Sequence, residues 1–224
     1  MTTSALPVNA DAGDQPPTPA SGTDRQWCPG RLDANAVTQP TNTLWLKAGQ
    51  IYPFVNNVRV YHCPADSSTY VTTDQAMCAV NGPGDPRVRS ISMNGFVNAS
   101  PDDFFSGGFT VYRKTNALAH PGAAVLWLFL DENPYSINDA YFVNNPSNAG
   151  NPPTGSTWTD CPGGYHNGAS GMGFCDGHAM MKPWHDATVL KWTDTTHEGM
   201  AANAPGANKN ADLDWLLNQT TCHQ

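Results

Sequence analysis

The pattern of hydrophobic and polar positions predicts short strands rather than long helices. The most apolar run is Ala123–Leu130, eight residues between Gly122 and Asp131, and its length and composition predict a central strand buried on both faces. Val88–Met93 alternates apolar and polar residues, which also predicts a strand. Strands joined by tight turns pair antiparallel. The predicted sheet contains Ser90–Met93, Ala124–Leu130, Met172–Asp176 and Ala179–Met181.

Helical spacing occurs in two places. Six apolar residues fall on one helical face, which favours packing on the core over binding a partner. Thr41 or Asn42 would cap this segment, and Pro53 divides it into two short helices. A last short helix is predicted around Leu213–Leu217, with Asp212 as its cap. The six positions are Leu44, Trp45, Ala48, Ile51, Tyr52 and Val55.

These elements predict an α+β fold weighted towards β, with short helices and long loops. Residues 1–26 are rich in Pro, Ala, Thr, Asp and Gly and have little to bury, so they are expected to be extended or disordered. Residues 27–224 are expected to form a single globular domain. Asn144–Thr157 reads as an irregular surface loop because it consists mostly of Asn, Pro, Gly, Ser and Thr.

Composition narrows the classes of partner. The formal net charge is −8 and only 13% of residues are charged, which argues against nucleic acid, since phosphate binding needs a basic surface. No apolar run reaches the length of a membrane span, and the first twenty residues lack the pattern of a signal peptide. The chain as given is therefore expected not to contact a membrane.

The six cysteines favour disulfides over a metal site, because no two have the short spacing of zinc ligands. Six cysteines allow fifteen connectivities, and sequence alone does not choose among them. Each bridge would stabilise the domain by about 2–4 kcal/mol. Closure of local loops favours Cys63–Cys78 and Cys161–Cys175, which leaves Cys28–Cys222 to join the two ends of the chain.

Four sequence blocks carry a family resemblance. In the first, His166 is followed by nine residues and then Asp176-Gly177. The others read YHCPAD at Tyr61–Asp66, RSISMNG at Arg89–Gly95, and LFLDE followed by SIND within Leu128–Asp139. Together they resemble the H-X9-DG pseudopilins, the prepilin-processing-associated family related to type II secretion G proteins. The chain departs from that family at its start, where the long apolar pilin helix is absent.

The resemblance implies a pilin-like domain with a small antiparallel sheet and disulfide-tied loops. It implies an exported subunit, extracellular or periplasmic, whose full-length parent is anchored in the inner membrane by the missing helix. Its partners would be other pseudopilin or secretion subunits in a type II secretion or type IV pilus-like filament. Under this interpretation no catalytic residues are expected.

Acidic and histidine residues at strand ends suggest metal binding. Asp131 and Glu132 end the apolar strand, and Asp176 and His178 end the neighbouring one, so these groups would gather at one sheet edge if the strands pair. The resemblance favours calcium over zinc, although the family's calcium-loop motif is not visible. The alternative is that Asp and Asn cap turns and His166 fixes the hairpin. Calcium ligands would be Asp131, Glu132, Asn133, Asn138 and Asp139, with Asp176 and His178 nearby; zinc ligands would be His166, Asp176 and His178.

Two other functions remain open. An extracellular glycoside hydrolase would use Glu132 with Asp131 or Asp176 as its acid and base, with His166 beside them. A metal-bound carbohydrate-binding module would stack sugars of a polysaccharide on exposed tryptophans, of which the chain has seven. Trp45, Trp127 and Trp215 lie in apolar patterns, which favours the core for these three.

Overall fold

The computed structural model confirms the predicted class, an α+β fold weighted towards β. Residues 1–25 and 147–157 lie outside the described part, and with them most of the predicted N-terminal segment and irregular loop. Among the described residues, no helix has the length and apolar character needed to cross a membrane. The described residues are 26–32, 39–70, 79–80, 84–98, 108–146, 158–186, 189–190 and 211–223.

The strands of the described residues form two sheets. The smaller sheet is antiparallel, with strand order β2-β1-β3. The larger sheet has the order β6-β4-β5-β7-β8, and its pairs are antiparallel except that β6 runs parallel to β4. All four predicted strands are present in it. The strands are β1 Ser68–Tyr70, β2 Ala79–Val80, β3 Asp85–Pro86, β4 Ile91–Asn94, β5 Trp127–Asp131, β6 Tyr141–Phe142, β7 Ala169–Phe174 and β8 Ala179–Pro183.

The central strand β5 packs on both faces, as its apolar run predicts. Trp127 and Leu130 belong to one core cluster, whereas Leu128 and Phe129 pack against another. The alternation breaks where a bulge shifts the register between Trp127 and Phe129. The first cluster, called the α3-side cluster after helix α3 (Ala211–Leu217), also contains Phe142, Trp158, Cys161, Met172, Phe174, Trp184, Val189, Leu213, Leu216 and Leu217. The second, called the α1-side cluster after helix α1 (Thr43–Ala48), includes Trp27, Cys28, Leu46, Tyr61, Met93, Phe96, Val97, Phe109, Tyr112, Leu118, Leu126 and Ala140.

The helices are short. The prediction of two short helices in place of one is confirmed, but the break lies at residues 49–51 and Pro53 lies in the first turn of the second helix. The Asn42 side chain caps the first helix by accepting a 3.0 Å hydrogen bond from Leu44 N–H. The first helix ends at Ala48 and is followed by Gly49, where a Cβ atom would collide with Trp27 O. The α-helices are α1 Thr43–Ala48, α2 Tyr52–Val55 and α3 Ala211–Leu217, and the 3-10 helices are Gln39–Thr41, Val58–Tyr61 and Thr115–Ala119.

Two helix predictions need correction. Trp45 is the only buried member of the predicted stripe, and Leu44, Ala48 and Val55 are exposed, because the buried side of α1 is formed by Trp45 and Leu46. Asp212 is not a cap, since it lies inside the first turn of α3. Its carboxylate instead accepts hydrogen bonds from His185 N–H, Asp186 N–H and Lys182 Nζ, which tie the end of β8 to α3.

The predicted disulfides Cys161–Cys175 and Cys28–Cys222 are wrong, because these four cysteines are free. Cys161 lies in the α3-side cluster and Cys175 packs against the α1-side cluster, so the sheet separates them. Cys28 is buried near Arg89, whereas Cys222 Sγ lies 3.5 Å from Tyr112 Oη. Cys63 is also free, and its predicted partner Cys78 lies outside the described residues.

Candidate functional site

A cysteine, an aspartate and a histidine meet at the polar end of β5. Cys63 follows the 3-10 helix Val58–Tyr61, Asp131 ends β5, and His166 lies in the turn before β7. Cys63 Sγ lies 3.2 Å from His166 Nε2, which lies 3.5 Å from Asp131 Oδ2. Cys63 and Asp131 are buried, whereas the His166 side chain is 37% exposed. The group therefore opens to solvent on the histidine side.

Burial sets the protonation of this group. Burial raises the pKa of Asp131 above its usual range, although the Gly171 N–H and the His166 ring partly offset the effect. Burial also raises the pKa of the Cys63 thiol, and the negative charge of Asp131 adds to that rise. Both anions are therefore disfavoured without a compensating positive charge.

A second acid–histidine pair lies behind the first. Burial by itself would raise the pKa of Asp66, but the nearby His62 ring and the hydrogen bond from Ser68 hold it below its usual range. The His62 Nε2 to Asp66 Oδ2 distance is 3.4 Å, and Ser68 N–H donates to Asp66 Oδ1 at 2.8 Å. This pair keeps a negative charge near Asp131.

Glu132, the candidate hydrolase acid, is completely buried. Ser136 Oγ donates to Glu132 Oε1 at 2.9 Å, while Oε2 has no hydrogen-bond partner within the described part of the chain. Burial raises the pKa of Glu132 to about 7, although the Ser136 hydroxyl and the Arg89 charge favour its ionised form. Burial also raises the pKa of Asp160, and the charge of Glu132 adds to that effect.

Two buried arginines connect the sequence blocks. Arg89 donates to Ile91 O at 2.7 Å, to Ser92 Oγ at 3.0 Å and to Asp139 O. Arg87 donates to Pro134 O at 2.5 Å. Their guanidinium groups thereby hold the loop after β5 against the segment that leads into β4. Neither role was predicted from the sequence, although Arg89 opens the RSISMNG block.

The oxygens proposed as calcium ligands mostly cap turns. Asn133 Oδ1 accepts from Tyr135 N–H at 2.9 Å, Asn138 Oδ1 from Asp139 N–H at 2.8 Å, and Asp139 Oδ1 from Tyr141 N–H at 3.0 Å. These bonds agree with the alternative interpretation, in which Asp and Asn side chains shape the loop. A calcium site stays a prediction.

Antiparallel pairing divides the predicted cluster at the sheet edge. Because β5 and β7 run in opposite directions, Asp131 lies beside Gly171 near the start of β7, with Gly171 N–H donating to Asp131 Oδ2 at 2.7 Å. Asp176 follows the other end of β7, and its N–H donates to Ala123 O. His178 pairs with Asp176 at that end, with His178 Nδ1 lying 2.6 Å from Asp176 Oδ1. His166 therefore joins Asp131, while the Asp176–His178 pair lies apart.

The described tryptophans do not form an exposed platform. Trp27, Trp45, Trp127, Trp158 and Trp184 are buried. The sixth, Trp215, is partly buried and packs edge-on to Trp184 with ring centroids 6.2 Å apart, and Trp192 lies outside the described residues. The prediction that Trp45 and Trp127 belong to the core is confirmed.

Cys63 is the site residue that sequence analysis assigned to another role. The disulfide prediction for Cys63 rested on cysteine spacing along the chain. That spacing does not reveal that His166, 103 residues further on, contacts Cys63 in the fold. The usable signal was the presence of both Cys63 and His166 in resemblance blocks.

Comparisons with known proteins add no relative: no protein-family model, no curated protein and no solved structure matches the chain.

Proposed function

We propose that this chain is the globular domain of a pseudopilin-like exported subunit, which assembles with other subunits into a type II secretion or type IV pilus-like filament. The observation that carries the proposal is the placement of the resemblance blocks. Cys63 N–H donates to Ser90 Oγ at 2.7 Å, Arg89 donates to Asp139 O, and His166 contacts Asp131. Residues distant in sequence thus join in one mostly buried polar network, and such networks specify a fold.

Because the residues of the resemblance blocks contribute to the interior, contacts with other subunits depend on the protein surface. Large apolar side chains are exposed on the neighbouring helices α1 and α2 and on the 3-10 helix Val58–Tyr61. Phe54 is 89% exposed, Leu44 60% and Val60 51%. Exposed apolar surface of this kind is typical of protein contacts, which supports a subunit that works by assembly.

The same geometry gives less support to a glycoside hydrolase. Glu132 is buried, and Asp131 and Asp176 lie near opposite ends of β7. At about 3.3 Å per strand residue, the stretch from Gly171 to Phe174 alone spans roughly 10 Å, beyond the separation that glycosidase carboxylates use. The buried tryptophans likewise give no support to a carbohydrate-binding module.

Replacing Phe54 with serine is expected to weaken assembly at least about 10-fold, because aromatic anchors dominate protein contacts. The measurement is cross-linking of the full-length protein in cells that produce it, read as the yield of species larger than one subunit. Met181→Ser is the matched control, since Met181 on β8 is also exposed, at 48%, and lies on another element. Cross-linking that stops at the single subunit in wild type, or that is unchanged in Phe54→Ser, would refute the proposal.

A further inference from the structure

The atoms of Cys63, Asp131 and His166 have the spacing of metal ligands. Cys63 Sγ lies 3.2 Å from His166 Nε2, Nε2 lies 3.5 Å from Asp131 Oδ2, and the three atoms all lie within 4.8 Å of one another. Zinc bonds of about 2.0–2.3 Å in a tetrahedron place ligand atoms roughly 3.3–3.8 Å apart. The two measured distances lie close to that range.

The same atoms do not fit a Cys–His–Asp catalytic triad. In a triad the histidine faces the nucleophile with one ring nitrogen and the orienting acid with the other. Here Nε2 faces both Cys63 Sγ and Asp131 Oδ2. One ring nitrogen carries at most one proton, so it cannot take a proton from the thiol while donating another to the carboxylate. A cation between the three atoms satisfies all of them at once.

Backbone contacts already hold the ligand atoms in place. Cys63 N–H donates to Ser90 Oγ at 2.7 Å, which fixes the segment next to β4. Asp131 Oδ2 accepts from Gly171 N–H at 2.7 Å, which orients the carboxylate along β7. Hydrogen bonds around the ligands of a metal site serve this purpose.

We propose that Cys63, Asp131 and His166 bind one zinc ion, with a water molecule in the fourth position. Thiolate and imidazole suit zinc and disfavour calcium. Three protein ligands leave one position open, and the 37% exposure of His166 places solvent beside it. This ligand set differs from the predicted His166, Asp176 and His178, because Cys63 and Asp131 replace the two residues at the far end of β7.

The test uses the full chain, reduced, stripped with a chelator and titrated with Co²⁺ and then Zn²⁺. One equivalent of Co²⁺ is expected to bind with a thiolate-to-cobalt absorption band, and Zn²⁺ is expected to displace it. Cys63→Ser should abolish the band, and His166→Gln should weaken binding at least about 100-fold, more than the loss of a supporting residue causes. His178→Gln is the matched control: it makes the same change in the exposed Asp176–His178 pair and should leave affinity unchanged.

Circular dichroism of each variant separates lost ligands from lost folding. If Cys63→Ser does not fold, the more exposed His166→Gln decides, since its side chain contributes less to the interior. The proposal is overturned by wild type that shows no thiolate band, by a folded His166→Gln that binds as tightly as wild type, or by native chain in which Cys63 is bonded to Cys78.

Discussion

Replacement of Arg89 by methionine is expected to destabilise the domain by about 3–5 kcal/mol, the cost of breaking a buried charge network from one side. The Arg89 side chain is buried, and its guanidinium donates to Ile91 O, Ser92 Oγ and Asp139 O. Methionine fills much of the same volume but leaves these acceptors unpaired, and it removes the positive charge near Glu132. The free energy of unfolding of a native domain is only about 5–15 kcal/mol, so this loss would be a large part of it.

Urea unfolding followed by circular dichroism measures this effect as a lower midpoint at an unchanged slope. Arg59→Met is the matched control, because Arg59 is exposed and surface changes cost at most about 0.5 kcal/mol. An Arg89→Met midpoint as high as that of Arg59→Met would show that the network does not hold the fold.

Replacement of Trp127 by alanine is expected to cost about 3–5 kcal/mol, the usual range for removing a buried tryptophan. The Trp127 ring is fully buried and packs edge-on against Phe142, with the ring centroids 5.7 Å apart. Its Nε1 donates a 2.9 Å hydrogen bond to Thr220 Oγ1. It therefore joins β5 to the segment after α3. Trp127→Phe keeps most of the apolar contact and should lose only about 1–3 kcal/mol with the hydrogen bond.

Thermal unfolding and polysaccharide binding, measured together on both variants, distinguish a core residue from a sugar platform. The core interpretation predicts a large fall in Tm for Trp127→Ala and a smaller one for Trp127→Phe, without any sugar-dependent signal. Unchanged Tm in Trp127→Phe, combined with weakened binding to a polysaccharide, would contradict it.

Sequence pattern predicted the elements whose signal is local. The apolar run Ala123–Leu130 identifies the central strand, although its first residues form a turn, where Val125 N–H donates to Gly122 O at 3.0 Å, and β5 begins only at Trp127. The helical segment forms two short helices, with Pro53 in the first turn of the second, and Asn42 caps the first. Each of these features depends on residues that are neighbours in the chain, so the sequence is sufficient to predict it.

Features that depend on the sheet could not be predicted in the same way. The parallel pairing of β6 with β4 and the separation of Cys161 from Cys175 follow from strand order, which local pattern does not contain. Antiparallel pairing also decides which end of β7 meets Asp131, and this is why His166 joins it while Asp176 does not. Burial of Arg89 contradicts the ordinary preference of arginine for the surface.

We propose that Glu132 supports the interior of an assembling subunit and does not act as the acid of a glycoside hydrolase. The most direct test of this proposal compares full-length wild type with Glu132→Gln, which keeps the size of the buried side chain and an acceptor for Ser136. Both proteins are assayed for cross-linked assembly and for hydrolysis of a panel of polysaccharides. Equal assembly of the two proteins and no hydrolysis by either are expected. Hydrolysis by wild type that Glu132→Gln abolishes, with the fold intact by circular dichroism, would contradict the proposal.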